Sequence, residues 1–130
     1  MRQRPTRRAP TARVVVASGA ERRRSPRIPA GAPAVLVGGD KRWDVEVTEL
    51  SRHGARVCGR GAFDVGLGVV LELSSSRAGL ALPARVVWVV RARRRVGGLD
   101  FAPLAPALLG RLDEVLARFA AEVAAASPPR

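Results

Sequence analysis

The chain has no tyrosine and only one cysteine, one histidine and one lysine in 130 residues. Each scarcity excludes something. With Cys58 alone, no intrachain disulfide can form. Its setting, Ala55-Arg56-Val57-Cys58, reads as a strand, which makes it a buried, inert thiol rather than a nucleophile. With His53 alone, no Cys/His cluster has metal-ligand spacing. Ser51 and His53 lie two apart but no third triad member stands out. The acids Asp40, Asp44, Glu46, Glu49, Asp64 and Asp100 are scattered, and neither a phosphate-binding G-x-x-x-x-G-K nor a dinucleotide-binding glycine pattern is present. Catalysis needs converging groups, so a non-enzymatic protein with no catalytic residues and no metal is expected. No apolar run approaches the roughly 20 residues of a membrane span. The run Val14-Val15-Val16-Ala17 is too short for a signal-peptide core, so a cytoplasmic protein is expected.

What the chain has in excess is arginine. Twenty-two of its 23 basic residues are Arg, and the formal net charge is +12. The charge is unevenly placed. Residues 1–27 hold nine arginines against one acid, and the other 103 residues hold fourteen bases against ten acids. Such a field favours anionic partners: nucleotides, nucleic acid or an acidic surface. Ala, Gly, Val and Pro are also abundant, the bias of a GC-rich coding sequence, so a single arginine says little by itself. Only Trp43, Trp88 and three Phe are available for base stacking, which makes nucleic acid the lesser candidate.

With 47% hydrophobic residues, the chain can build one modest core. Residues 1–20 lack a sustained period and read as a flexible basic arm. From Pro33 onward short apolar or alternating runs recur between turn signals: 34–37, 43–50, 55–58, 67–73, 80–91 and 96–101. In the fifth, Ala84, Val86, Trp88 and Val90 fall on one face. Six short strands with glycine-rich turns argue for a small antiparallel barrel or sandwich. From Pro106, Leu108, Leu112, Val115, Leu116, Phe119 and Val123 follow helical spacing, giving an amphipathic helix of about five turns. Glu114 and Arg118 are spaced as a helical ion pair. The helix would pack on the barrel's mouth or side.

Two segments carry binding chemistry. Arg23-x-x-x-Arg27 stands where the arm meets the first strand, and guanidinium groups bind phosphates and the O6/N7 edge of guanine. Glu49-Leu50-Ser51-Arg52-His53-Gly54 ends the second strand. There Glu49 offers a carboxylate that can accept from guanine N1–H and N2–H, Ser51 offers a hydroxyl, and Gly54 suits a tight or left-handed backbone. The plain alternative is a basic linker and an ordinary strand turn.

In this order the two segments resemble the PilZ domain family, whose pattern is R-x-x-x-R followed by [D/N]-x-S-x-x-G. Arg23 and Arg27 match the first motif, and Ser51 and Gly54 the second, with Glu49 at the acidic position. The run 66–73, Ala84-Arg85-Val86-Val87-Trp88 and Gly98-Leu99-Asp100-Phe101 resemble later strands of the family, and the likeness spans about residues 20–120. The departures are Glu49 for Asp or Asn, and His53 for a common glycine. The resemblance implies a mainly β fold, a six-stranded antiparallel barrel with a C-terminal helix, over residues 21–125, followed by a disordered tail, 126–130. It implies binding of cyclic di-GMP without other cofactors. Arg23 and Arg27 would hold phosphates and guanine edges, Glu49 and Ser51 would contact a guanine, and Gly54 would let the backbone turn closely. Arg22, just before the first motif arginine, would favour a stacked ligand pair. Residues about 18–30 would order over the ligand and change the surface offered to an unidentified protein partner. A nucleotide-free module acting through protein contacts alone is the alternative.

Overall fold

Alternating runs closed by glycine or polar turns can bury their valines and leucines only by facing one another across a closed sheet. The computed structural model of the protein describes residues 26–73 and 79–126. Its elements are β1 (Ile28–Gly38), β2 (Lys41–Leu50), β3 (Gly54–Gly59), β4 (Gly68–Leu73), β5 (Leu80–Val90), β6 (Arg95–Phe101) and α1 (Pro106–Ala126). The strands form a closed barrel in the order β1-β2-β3-β6-β5-β4, every pair antiparallel. The expected mainly β architecture, a six-stranded antiparallel barrel with a C-terminal helix, is therefore present.

The interior is filled by alternate residues of every strand, among them Leu36, Val47, Val57, Leu71, Leu82 and Val86, all fully buried. Each such side chain contributes about 1.5–3 kcal/mol on leaving water. Phe63, also fully buried, sits near the barrel end formed by the β1–β2 and β5–β6 turns, edge-on to Trp43 with ring centroids 6.1 Å apart. Asp64 beside it accepts from the Val65 N–H and pairs with Arg91 at 2.8 Å; that hydrogen bond and the nearby Arg91 and Arg95 hold its carboxyl below the usual range.

Helix α1 lies across the opposite end. The Ala105 carbonyl accepts the first helical bond from the Leu109 N–H at 2.9 Å, and Pro106 takes the first turn, where a missing N–H costs nothing. Leu112, Val115 and Phe119 are buried and join the barrel core. Asp113 pairs with Arg52 of the β2–β3 turn at 3.0 Å, and Arg111 donates to the Gly79 carbonyl ahead of β5. The Glu114–Arg118 pair expected from spacing is not among the ion pairs of the described residues.

Three expectations need correction. β1 begins at Ile28, not Ala34. Pro29, Gly31 and Pro33 interrupt the pattern, yet prolines are tolerated where a strand lacks a full ladder on both sides, and β4 pairs with β1 only from Ala34 to Val37. Trp88 is not on the Ala84–Val86 face. A register shift between Val86 and Trp88 turns it to the outside, opposite Gly98. Cys58 is half-buried rather than buried, because it alternates with the inward Val57. The basic arm, 1–20, and residues 127–130 of the tail lie outside the described residues.

Replacing Leu112 with Ala empties volume where the helix meets the barrel. Its unfolding free energy is expected to fall by about 2–5 kcal/mol, measured by urea denaturation followed by circular dichroism.

Candidate functional site

Glu49 reaches the outer surface because β2 contains one extra residue. Strict alternation from Val45 and Val47 would send Glu49 into the core. The β2–β3 register instead runs Val47 to Val57 and then Glu49 to Arg56, with Thr48 as the bulged residue. From there Leu50 points inward, fully buried, and Glu49 points outward. The Thr48 hydroxyl donates to the Arg56 carbonyl at 3.2 Å, supporting the interrupted ladder. Bulges commonly re-aim side chains in this way.

The β2–β3 turn is built around Ser51, the one buried polar side chain among the described residues. Its hydroxyl oxygen accepts from the His53 and Gly54 N–H groups, each at 3.2 Å, and donates to the Gly54 carbonyl at 3.3 Å. The Ser51 N–H also donates to that carbonyl at 2.9 Å. Gly54 lies against β6, where a Cβ would fall 2.1 Å from the Leu99 carbonyl oxygen. It is absent from the left-handed glycines, so close approach, not positive φ, requires glycine here. The Phe101 N–H donates to the His53 carbonyl at 2.8 Å, binding the turn to β6.

Arg27, immediately before β1, places a guanidinium nitrogen 3.8 Å from the Glu49 carboxylate, both side chains partly exposed. The second motif arginine and the acidic position are thus together, one turn from Ser51 and Gly54. Arg22 and Arg23 lie outside the described residues.

The register extends this pair into a row. Pro29 faces Glu49, Glu49 faces Arg56, Arg56 faces Gly98, and Gly98 faces Trp88. Steps between strands are about 4.8 Å. The Trp88 indole lies directly over Gly98, where a Cβ would be 2.0 Å from its ring nitrogen, so glycine is the seat of the ring. The Arg56 guanidinium stands 5.9 Å from the indole centroid, a cation–π distance. A carboxylate, two guanidiniums and an indole therefore share one outer face. Such a face offers hydrogen bonds to a polar ring edge, charge for phosphate and a flat surface for stacking.

Sequence reading passed over Arg56 and Trp88. Arg56 was one arginine among many, and Trp88 was assigned to the wrong face. The available signal was Gly98, a glycine inside a strand, which marks a close approach by another group.

The family model of the PilZ domain matches residues 21–118. The chain belongs to the PilZ domain family. No curated protein matches it. Among solved structures it is similar to the PilZ domain of YcgR from Escherichia coli with c-di-GMP, at TM-score 0.68 and 14% identity, covering 78% of this chain and 94% of that one. It is similar to the PilZ domain of CeSA from a cellulose-synthesizing bacterium, at TM-score 0.59 and 20% identity, covering 72% and 97%. It also resembles the K. pneumonia MrkH–c-di-GMP complex, at TM-score 0.66 and 15% identity, covering 81% of this chain and 55% of that one. At these identities the likeness is one of fold, and its barrel matches whole PilZ domains.

Ser51→Ala removes the hydroxyl that closes the turn and leaves two N–H groups without it. A loss of about 1–3 kcal/mol is expected in urea unfolding. Ser51→Thr, which keeps the oxygen, should recover part of that loss.

Proposed function

We propose that this PilZ chain is a receptor for cyclic di-GMP, without catalytic activity of its own. The observation that carries the reading is the Arg27–Glu49 approach at 3.8 Å, which brings the two motif segments to one place on the barrel. Arg23 and Arg27 hold phosphates and the O6/N7 edge of guanine, with bidentate geometry suited to both. Arg22 assists at the same phosphates and favours a stacked ligand pair. Glu49 accepts from the Watson–Crick edge of a guanine. The Ser51 hydroxyl is fully engaged in its turn, so Ser51 and Gly54 serve the ligand chiefly by holding the turn in shape. Arg56 and Trp88 add a flat, cationic surface for a purine ring.

Ligand binding orders the chain ahead of β1 over this face. Pro26 and Arg27 are already described and Ile28–Ala30 belong to β1, so of the expected span 18–30 the part that ordering would concern lies ahead of Pro26. The altered surface is read by a protein partner. Among the described residues no helix is long and apolar enough to cross a membrane, and no group of three or more His, Cys, Asp or Glu could hold a metal ion.

One observation favours a second reading, a PilZ module that binds no nucleotide. Glu49 stands in place of Asp or Asn, and its longer side chain is the one within reach of Arg27. Titration calorimetry separates the two. The receptor reading expects heat with cyclic di-GMP at tens of micromolar, and a loss of about tenfold or more in Arg23→Ala, Arg27→Ala and Trp88→Ala, the scale of a charged hydrogen bond or a desolvated cation–π contact. No heat from the native chain, with heat appearing in Glu49→Asp, assigns it to the second reading. Unchanged affinity in both arginine variants would falsify the clamp.

A further inference from the structure

The end of the barrel away from α1 is closed by three connections: the β1–β2 turn, residues 60–67 between β3 and β4, and the β5–β6 hairpin. That hairpin reads Arg91-Ala92-Arg93-Arg94-Arg95. Turns draw on glycine, proline, asparagine, aspartate and serine, and arginine adds nothing to their geometry. Two of the four arginines have structural partners. Arg91 pairs with Asp64 at 2.8 Å, and the Arg95 guanidinium donates to the Phe63 carbonyl at 2.6 Å. Arg93 and Arg94 are exposed, and neither side chain has a hydrogen bond or ion pair among the described residues.

Charge at this end is uneven. Of the four acids that reach it, Asp64 and Glu72 are taken up by Arg91 and Arg42. Asp40 and Asp44 are matched in number by Lys41 and Arg60. The excess therefore sits on Arg93, Arg94 and Arg95, with Arg85 beside them in sign, donating to the Gly66 carbonyl at 3.3 Å. Like charges on consecutive residues repel one another, and an anionic counter-surface relieves that repulsion. Val65 lies in the neighbouring connection and is 51% exposed, the most exposed large apolar side chain among the described residues. The Asp64–Arg91 and Phe63–Arg95 contacts tie its loop to the hairpin at two points. Gly66, next in the chain, takes φ 91° and donates its N–H to the Val86 carbonyl at 2.8 Å, which fixes the bend after Val65. Val65 and the arginines are thus held on one surface.

We propose that this end of the barrel docks on an anionic lipid surface. The planar guanidiniums of Arg93 and Arg94 take lipid phosphates, and Val65 enters between the headgroups. The aliphatic side chain decides between polyanions. A nucleic acid would use the same charge but stacks its bases on exposed aromatic faces. The aromatics of this end, Trp43 and Phe63, are instead packed edge to face, with Phe63 fully buried. A lipid interface rewards cation and apolar side chain together. Arg27, Glu49 and α1 belong to the other end, so a docked barrel leaves them open to solution. The docking needs no nucleotide.

The test is sedimentation of the full chain with vesicles of phosphatidylcholine alone and of phosphatidylcholine mixed with phosphatidylglycerol. Binding to the mixed vesicles only is expected, and no binding to them overturns the proposal. Residues 1–27 hold nine arginines of their own, so the variants place the contact. Arg93→Ala and Arg94→Ala should each weaken binding about fivefold. Val65→Ser should weaken it about fourfold. Arg118→Ala makes the same change of charge on α1 and should alter it by less than about twofold, being more than a Debye length from the docked surface. Equal losses in Arg93→Ala and Arg118→Ala, or no loss in either hairpin variant, overturn the proposal. Vesicle binding indifferent to Val65→Ser overturns it as well, and a DNA duplex then bound more tightly than the vesicles, and weakened by Arg93→Ala, assigns this end to nucleic acid. Arg93 and Arg94 have no partner to lose, so circular dichroism of their variants should match the native chain.

Discussion

Register in this barrel is set by period-two alternation, and the outer face depends on where that period is broken. A strand without irregularity has one inward set and one outward set of side chains for its whole length. β1, β2 and β5 each shift register once: between Pro29 and Ala32, between Val47 and Glu49, and between Val86 and Trp88. The last two shifts turn Glu49 and Trp88 outward. Without them a carboxylate would face a core of valines and leucines, where an unpaired charge is strongly disfavoured. The surface described as a binding face is thus a product of irregular backbone on a regular core.

Holding those irregularities requires local bonds that the ladder does not supply. Thr48 bridges to the Arg56 carbonyl beside the β2 bulge. Ser51 fastens the turn that follows, and Gly54 lets that turn lie against Leu99. On the far side of β6, Gly98 leaves room for the indole that the β5 bulge delivers. Serine and glycine at these motif positions answer needs of backbone geometry before they answer needs of a ligand. A motif of this kind can persist in a domain for structural reasons, which is why Glu49 and the arginines carry more functional information than Ser51 or Gly54.

The strands and helix were legible in the sequence because alternation and three-four spacing are properties of many residues at once. Trp43 to Leu50 and Leu80 to Val90 read as strands, and Pro106 onward as a helix, since no other element would bury those apolar residues. The bulges were not legible. One extra residue leaves composition and local propensity unchanged and shows only in the pairing with a neighbouring strand. Trp88 was therefore placed inside, and the row from Glu49 to Trp88 could not be seen. The start of β1 was hidden for a related reason, because Pro29, Gly31 and Pro33 look like a linker until the missing second neighbour explains them. Of the candidate site, Arg27 and Glu49 lie 3.8 Å apart, while Arg56 needed the cross-strand register to be noticed.

All the elements that a signal would have to pass between meet at one end of the barrel. The Ser51–Gly54 turn, the entry to β1, Gly79 and α1 are neighbours there, tied by Arg52 to Asp113 at 3.0 Å and by Arg111 to the Gly79 carbonyl. The opposite end, plugged by Phe63 and Trp43, has its own contacts and its own ion pair between Arg91 and Asp64. On the receptor reading, a ligand on the Glu49 face would have two short routes to the rest of the molecule. One would run through the chain before β1, whose charge it would neutralise. The other would run through the β2–β3 turn into the helix. Exposed ion pairs such as Arg52–Asp113 are worth about 1 kcal/mol or less, too little to move a packed helix by themselves. The first route would have the larger lever, because ordering even a few residues of chain changes free energy by about 1–2 kcal/mol for each. On that reading, a partner would contact the segment ahead of β1 and the helix surface beside it, and the helix itself would stay where the core holds it.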